Sequence, residues 1–448
     1  MATAGSRRRE AEALQDGLAL GTAVARASAQ AIDSGGALGG LREARAACEA
    51  DHGALWGRNL CGPIALVVRR SHLVVANDTV PGWPYLRMND AFITTLPSDQ
   101  GVANTSFDWQ GREWTMVVLP LPDDRFDRIA LLLHEVFHRE QGPLGLRDRD
   151  ALNNQLDTRA GRTWLRLEYR ALALALVALD SAPTNVRRHV ANALLFRAYR
   201  RSLFPGSDSL ETRLEMQEGL PEYNGERLAL EMTGLTPSRV AQAVTEREHR
   251  GTYVRGFAYG TGPALGVLLD HFAPGWRTAV RTHRDPAGLL AQAIQFQAPS
   301  SLGRAASGRA REYGWAQVDS EEGDRERARA PEMRMFQSRL VDGPTITFRQ
   351  SRDSLAWGFD PNSLIGYDLS HTIYPSGSFS APWGSLSADS GGVLVRNDMA
   401  VLVVEAPTGE LPPGRHVTGR GWTLDLNSGW RLAPDLDRPG SYIVVAMP

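Results

Sequence analysis

His134, Glu135 and His138 are the residues of this chain whose types and spacing point most directly to chemistry. They stand in His134-Glu135-Val136-Phe137-His138, inside an amphipathic run that also holds Ile129, Leu132 and Leu133. Residues four apart on a helix share a face, so the two imidazoles can be turned towards one ion. Zinc binds such nitrogens at about 2.0–2.1 Å. Glu135 falls about 100° around the helix from His134, where its carboxylate reaches a metal-bound water rather than the metal. There it takes the water's proton as a general base, while zinc lowers that water's pKa to about 7 and polarises a carbonyl. The expected cofactor is Zn2+ and the expected reaction is hydrolysis. The plainer alternative is a pair of core histidines.

Catalytic zinc takes three protein ligands and keeps one position open. After His138, the stretch Arg139-Glu140-Gln141-Gly142-Pro143-Leu144 lacks both the glycine and the third histidine of an HExxHxxGxxH signature. Two glutamates remain as candidates. Glu218 stands in Gln217-Glu218-Gly219-Leu220-Pro221-Glu222-Tyr223, and Glu168 in Leu165-Arg166-Leu167-Glu168-Tyr169-Arg170. On an otherwise apolar helix, an acid such as Glu168 is either paired with arginine or engaged at the metal, as ligand or behind one.

The HExxH helix and the Glu-Gly-Leu-Pro-Glu-Tyr segment together resemble the gluzincin zinc metallopeptidases, over roughly residues 64–270. The resemblance implies a zincin-like catalytic domain, ligation by His134, His138 and Glu218, and a peptide or protein substrate. It favours Glu218 over Glu168 as third ligand. By it, Glu222, one turn after Glu218, holds a ligand imidazole from behind. It also implies a donor to the developing oxyanion, for which Tyr253 and Tyr259 are the candidates, ahead of His249 and His271. The G-x-M-E-N element of one aminopeptidase family is absent, so capture of a substrate N-terminus is not implied. Two other functions compete with a peptidase: a non-catalytic interaction protein on a decayed zincin domain, and a zinc hydrolase of a non-peptide amide. The intact Glu135 argues against decay.

These residues need elements to hold them. Ile64–Val68 and Leu73–Ala76 read as one hairpin, and Thr105–Trp109 with Glu113–Leu119 as a second. Asp123 and Asp124 suit the start of a helix over Phe126–Gln141, which Gly142-Pro143 ends. Further helices are expected at Thr158–Leu179, Asn185–Leu203 and Ser209–Met232, then near 236–249, 257–272, 276–283, 286–296 and 303–333. Short β-rich runs follow: Thr345–Phe348, Gly392–Arg396, Ala400–Glu405 and Tyr442–Val445. The fold class read from this pattern is α+β. A mostly helical domain with a small N-terminal sheet, about 51–333, precedes a small all-β sandwich or barrel, about 334–448. Residues 1–50 read as a leader or tail followed by a helix from Leu41, set off by Gly35-Gly36 and Gly39-Gly40. The β domain holds only His371 and His416 and is expected to supply no metal ligand. A chain ending near Glu332 is therefore expected to keep its metal.

All 49 basic residues are arginine, and formal net charge is −2. No basic stripe with interleaved aromatics runs through the chain, so nucleic acid is not an expected partner. No run of apolar residues is long enough for a transmembrane helix. Arg7–Arg9, Leu18–Ala25 and Ala27-Ser28-Ala29 outline an export signal, weakened by Glu10, Glu12 and Asp16. Cys48 and Cys61 are the only cysteines, and are either one disulfide of an exported protein or two separate thiols.

Overall fold

The computed structural model describes residues 36–97, 100–409 and 414–447, so the segment read as an export signal lies outside the described residues. Helix α1 (Ala37–Asp51) leads into strands β1 (Ile64–Val68), β2 (Leu73–Ala76), β3 (Leu86–Met88), β4 (Ala91–Thr95), β5 (Thr105–Trp109) and β6 (Arg112–Val118). Helices follow: α2 (Arg125–Gln141), α3 (Arg159–Ser181), α4 (Pro183–Leu203), α5 (Ser207–Leu214), α6 (Leu220–Thr233) and α7 (Pro237–Arg247). Then come α8 (Ala258–Phe272), α9 (Trp276–His283), α10 (Pro286–Ala293), α11 (Leu302–Ala310) and α12 (Trp315–Phe336). The β-rich part begins with β7 (Thr345–Arg349), β8 (Ala356–Phe359), β9 (Ile365–Gly366), β10 (His371–Tyr374), β11 (Gly377–Ala381) and β12 (Gly384–Ala388). It ends with β13 (Val393–Arg396), β14 (Val401–Glu405), β15 (His416–Gly419), β16 (Trp422–Leu426), β17 (Trp430–Pro434) and β18 (Tyr442–Ala446). The chain is mixed α+β, with a helical region followed by a β-rich part, as expected.

Three readings need correction. The single helix expected over Ser209–Met232 is interrupted by a π turn, Glu215–Gly219. Gly39 and Gly40 do not set off a helix but lie inside α1. A side chain at Gly40 would collide with Leu121, since an added Cβ would sit 2.4 Å from its Cδ1. Several strands were also not anticipated, among them β3, β4 and β8–β12. None is longer than five residues, and β11 and β12 are made largely of Gly, Ser and Ala, so those two carry little of the β-branched signal that marks a strand.

The chain divides into two compact units, each assembled from separate stretches. The first holds the described residues through Arg147, Leu220–Thr236 and Pro274–Arg284. Its sheet has the order β3-β4-β2-β1-β6-β5. Both expected hairpins form, and β1 pairs with β6 in parallel. Asp124 caps α2 by accepting from the Asp127 amide at 3.0 Å. Helix α6 packs tightly on α2, because Gly225 lacks a Cβ that would stand 2.2 Å from the Ala130 carbonyl oxygen. Asn224 fixes the register by donating to the Leu133 carbonyl at 2.9 Å while accepting from the Trp56 indole at 3.0 Å. Cys48 and Cys61 form a disulfide between the end of α1 and the segment before β1. Beneath that segment, buried Arg139 of α2 donates to the Leu60 carbonyl at 2.6 Å and the Pro63 carbonyl at 3.3 Å.

The second unit holds Asp148–Gly219, Pro237–Ala273 and the chain from Asp285. Helices α3 and α4 pack along each other around a buried ionic network of Glu168, Glu211 and Glu215 with Arg197, Arg200 and Arg201. The β-rich part is a sandwich of two sheets, ordered β17-β18-β7-β14-β13-β10-β9 and β15-β16-β12-β11-β8. Inward residues of both sheets share one core, with Phe348, Val395 and Leu402 from one and Phe379, Leu386 and Leu424 from the other. The outer face of the longer sheet is covered by Phe336 and Leu340, which pack on Ile373 and Leu394. Asn154 ties the helical part to the sandwich, donating to the carbonyls of Asp368 and His371 and accepting from Thr372. Among the described residues, no helix is long and apolar enough to cross a membrane.

Candidate metal centre

Helix α2 presents His134, Glu135 and His138 as its apolar periodicity requires, with Leu132, Leu133, Val136 and Phe137 buried around them. His134 and Glu135 are buried and His138 is half-buried. The His134 Nδ1 lies 2.7 Å from a Glu222 carboxylate oxygen, which places Glu222 of α6 behind the ring as expected. The His138 Nδ1 lies 2.8 Å from Gln141 Oε1. Both partners are acceptors, so both Nδ1 atoms carry the proton and both Nε2 atoms present lone pairs. Those two Nε2 atoms face each other at 3.0 Å. Two lone pairs converging at that distance repel unless a cation or a proton lies between them. The Glu135 carboxylate lies 4.0 Å from His134 Nε2.

Gln141 was not among the residues expected to matter. Its signal lay in the motif's own helix, because a residue three positions after His138 shares its face. The sequence alone marks it only as the end of that helix.

Glu218 is carried by the π turn Glu215–Gly219 and is buried. Arg255 donates to its Oε1 at 2.7 Å, and the Tyr259 hydroxyl donates to its Oε2 at 2.6 Å. Arg255 also pairs with Asp150, at 3.1 and 3.2 Å, and donates to the Tyr259 oxygen at 3.3 Å. Burial alone would weaken the guanidinium's hold on its proton. Glu218, Tyr259 and Asp150 more than reverse that, so the Arg255 pKa is raised and the group stays charged. Tyr259 spends its only proton on Glu218, so in this arrangement it holds the carboxylate in place.

His134, His138 and Glu218 form one group: each offers a ligand atom, and these atoms lie within 4.8 Å of one another. Two imidazole nitrogens and a carboxylate oxygen suit a divalent cation of intermediate softness, and the group could bind a metal ion.

The other expected residues are placed elsewhere. Glu168 gives one oxygen to Arg197 at 2.7 Å and the other to Arg200, so it belongs to the buried ionic network and not to the metal group. The Tyr253 hydroxyl donates to the Glu248 carbonyl. Its ring lies 4.1 Å from the Arg162 guanidinium carbon and meets Tyr169 edge-on at 5.9 Å. Burial holds its phenol well above the ordinary range. Tyr253 is therefore a packed core residue. Arg255, by contrast, was not singled out by sequence reasoning although Tyr259 was, four residues further on. Nothing local marks an arginine as the partner of a glutamate so distant in the chain. Comparison with family models, curated proteins and solved structures finds no match to this chain.

Proposed function

We propose that this chain is a zinc-dependent hydrolase with a zincin-like catalytic region, acting on peptide bonds. The observation that carries the reading is the His134–His138–Glu218 group with Glu135 beside it. The residues fit the metal. Both Nε2 atoms are directed to one point by acceptors on the opposite ring nitrogens, and Glu218 is anchored through both of its oxygens. Such partners fix the tautomer and orientation of ligands before a metal arrives. Zinc bound there would supply Lewis acidity, polarising a scissile carbonyl and making water a nucleophile near neutral pH.

The chain's own residues do the rest. Glu135 is the only carboxylate on α2 adjacent to the first imidazole. It accepts the proton of the attacking water and passes it to the leaving amine, so a single carboxyl group serves as base and then acid. Glu222 and Gln141 hold the two imidazoles in one tautomer and orientation. The gluzincin resemblance supports a peptide as substrate, through the Glu218-Gly219-Leu220-Pro221-Glu222-Tyr223 segment.

The test uses the full chain and its Glu135→Gln variant. Elemental analysis is expected to find about one zinc per chain in both. Cleavage of a mixed peptide library is expected in the wild type and lower by about 100- to 10,000-fold in the variant, whose amide cannot take a proton. Near-full cleavage by Glu135→Gln would overturn the mechanism. A wild type that holds zinc but opens only non-peptide amides would overturn the substrate.

A further inference from the structure

Glu218 is gripped by a charged residue whose immediate neighbour in the chain is buried in a different place altogether. Val254 is fully buried in the core of the C-terminal sandwich, among Phe348, Phe379 and Leu402. The next residue, Arg255, holds Glu218. A second segment repeats the arrangement. Leu152 packs against the same sandwich core, and Asp150, two residues earlier, pairs with Arg255. The two segments are joined to each other, since the Asn153 amide donates to the Val254 carbonyl at 2.9 Å. Tyr374 of β10, a member of that core, feels the charges of both Asp150 and Arg255 beyond the effect of its own burial. Along both segments, then, an apolar side chain packs on the sandwich core, while the charged neighbour of one holds the ligand carboxylate and that of the other holds the arginine that does so.

We propose that the C-terminal sandwich positions the third ligand: its core clamps Val254 and Leu152, and through them sets Arg255 against Glu218 with Asp150 holding the guanidinium. Val254 and Leu152 are positioning residues that touch neither metal nor substrate. The sandwich is accordingly part of the metal centre's support. This departs from the expectation that a chain lacking residues after Glu332 keeps its metal. The physical reason is rigidity. A guanidinium on an unanchored segment samples many rotamers, and the carboxylate it holds loses its fixed direction.

The inference rests on Glu218 as a ligand, so its test separates the two ideas. Zinc affinity is measured on full-length proteins by competition with a chromophoric chelator, at a temperature where each is folded by circular dichroism. Arg255→Gln is expected to weaken binding by about 10- to 100-fold, and Val254→Ala by about tenfold. Val417→Ala, a truncation of the same chemistry in β15 of the same core, is expected to lower the melting temperature comparably while leaving affinity within about twofold. The decisive readout is the double variant. If Val254 acts through Arg255, adding Val254→Ala to Arg255→Gln weakens binding little further, whereas independent effects would multiply. Multiplying effects, or equal losses from Val254→Ala and Val417→Ala, would overturn the proposal. Hydrogen exchange of the 215–219 amides gives an arm that needs no metal: Val254→Ala is expected to speed it and Val417→Ala is not. A wild type that binds no zinc would sink the metal reading, while the exchange arm would still decide the coupling.

Discussion

Glu168 and Glu218 are both glutamates buried on helical backbone beside arginine, yet only one of them joins the histidine pair. The difference lies in how each charge is met. The two oxygens of Glu168 meet two guanidiniums, Arg197 and Arg200, which also hold Glu215 and Glu211 in a network that sets three carboxylates against three arginines. Glu218 takes Arg255, which also pairs with Asp150, on one oxygen and the Tyr259 hydroxyl on the other. A buried acid neutralised by its neighbours is architecture. One held in direction by a shared cation and a hydroxyl retains charge to offer a metal.

Removing each acid is the sharpest way to break this comparison, and the largest effects are expected there. Glu218→Ala should abolish stoichiometric zinc in a protein that still melts cooperatively. Glu168→Ala removes one carboxylate from each of two buried arginines, leaving Arg197 with Glu215 and Arg200 with Glu211, and should cost about 3–5 kcal/mol of stability. Run at low temperature, where the Glu168→Ala protein stays folded by circular dichroism, elemental analysis should still find its zinc. Zinc lost from Glu168→Ala and kept in Glu218→Ala would reverse the assignment.

The sequence made one side of this comparison far easier to read than the other. His134, Glu135 and His138 lie within five consecutive residues, and helical periodicity alone turns the two histidines to one point. The Asp124 cap and both N-terminal hairpins were legible for the same reason, since their partners are neighbours in the chain. Glu218 was legible only through the resemblance of its segment to a known ligand element. What holds it was not, because Arg255 and Asp150 come from stretches separated by whole helices. Glu168 posed a choice between ion pair and ligand that the sequence framed correctly, but resolving it required Arg197 and Arg200 from the next helix. Tyr253 and Tyr259 show the limit most plainly. They lie six residues apart in one glycine-rich segment, and only the fold separates a packed core tyrosine from one that holds the ligand.

The second way to sharpen the comparison is acid. Burial by itself would raise the Glu211 pKa, but Arg200 and Arg201 outweigh it and hold the carboxyl down to about 2. Glu215 is shifted the same way, with Arg197 prevailing over burial. A group whose pKa is lower in the folded state adds stability that is complete above the ordinary glutamate value of about 4.3. That stability is lost as pH falls through the window down to the folded value. Urea unfolding at a series of pH values should therefore show the wild type losing stability steadily below about pH 4.3. Glu211→Gln should be less stable at neutral pH and flatter across the acid window, because the group that titrates is gone. Identical slopes in the two proteins would mean that the network does not carry its charge in the folded state.

The smallest expected effect tests whether the π turn beneath Glu218 is held by close packing as well as by charge. Thr261 of α8 donates to Glu215 at 2.5 Å, and the next residue, Gly262, meets Gly219 backbone to backbone. A Cβ at Gly262 would lie 2.2 Å from the Gly219 Cα and 2.5 Å from its carbonyl oxygen. Backbone cannot swing aside as a long side chain can, so one of the two elements must move. Gly262→Ala should cost about 1–3 kcal/mol, the usual range for overpacking a buried contact. Because the displaced turn carries Glu218, zinc affinity should fall with it. Gly308 of α11 supplies the control: an added Cβ there meets nothing within 4 Å. Gly308→Ala should stabilise the protein by roughly 0.4–1 kcal/mol, since alanine loses less backbone freedom in a helix, and should leave zinc binding unchanged. If Gly262→Ala behaves like Gly308→Ala, the turn has slack, and the direction of the Glu218 carboxylate is set by Arg255 and Tyr259 alone.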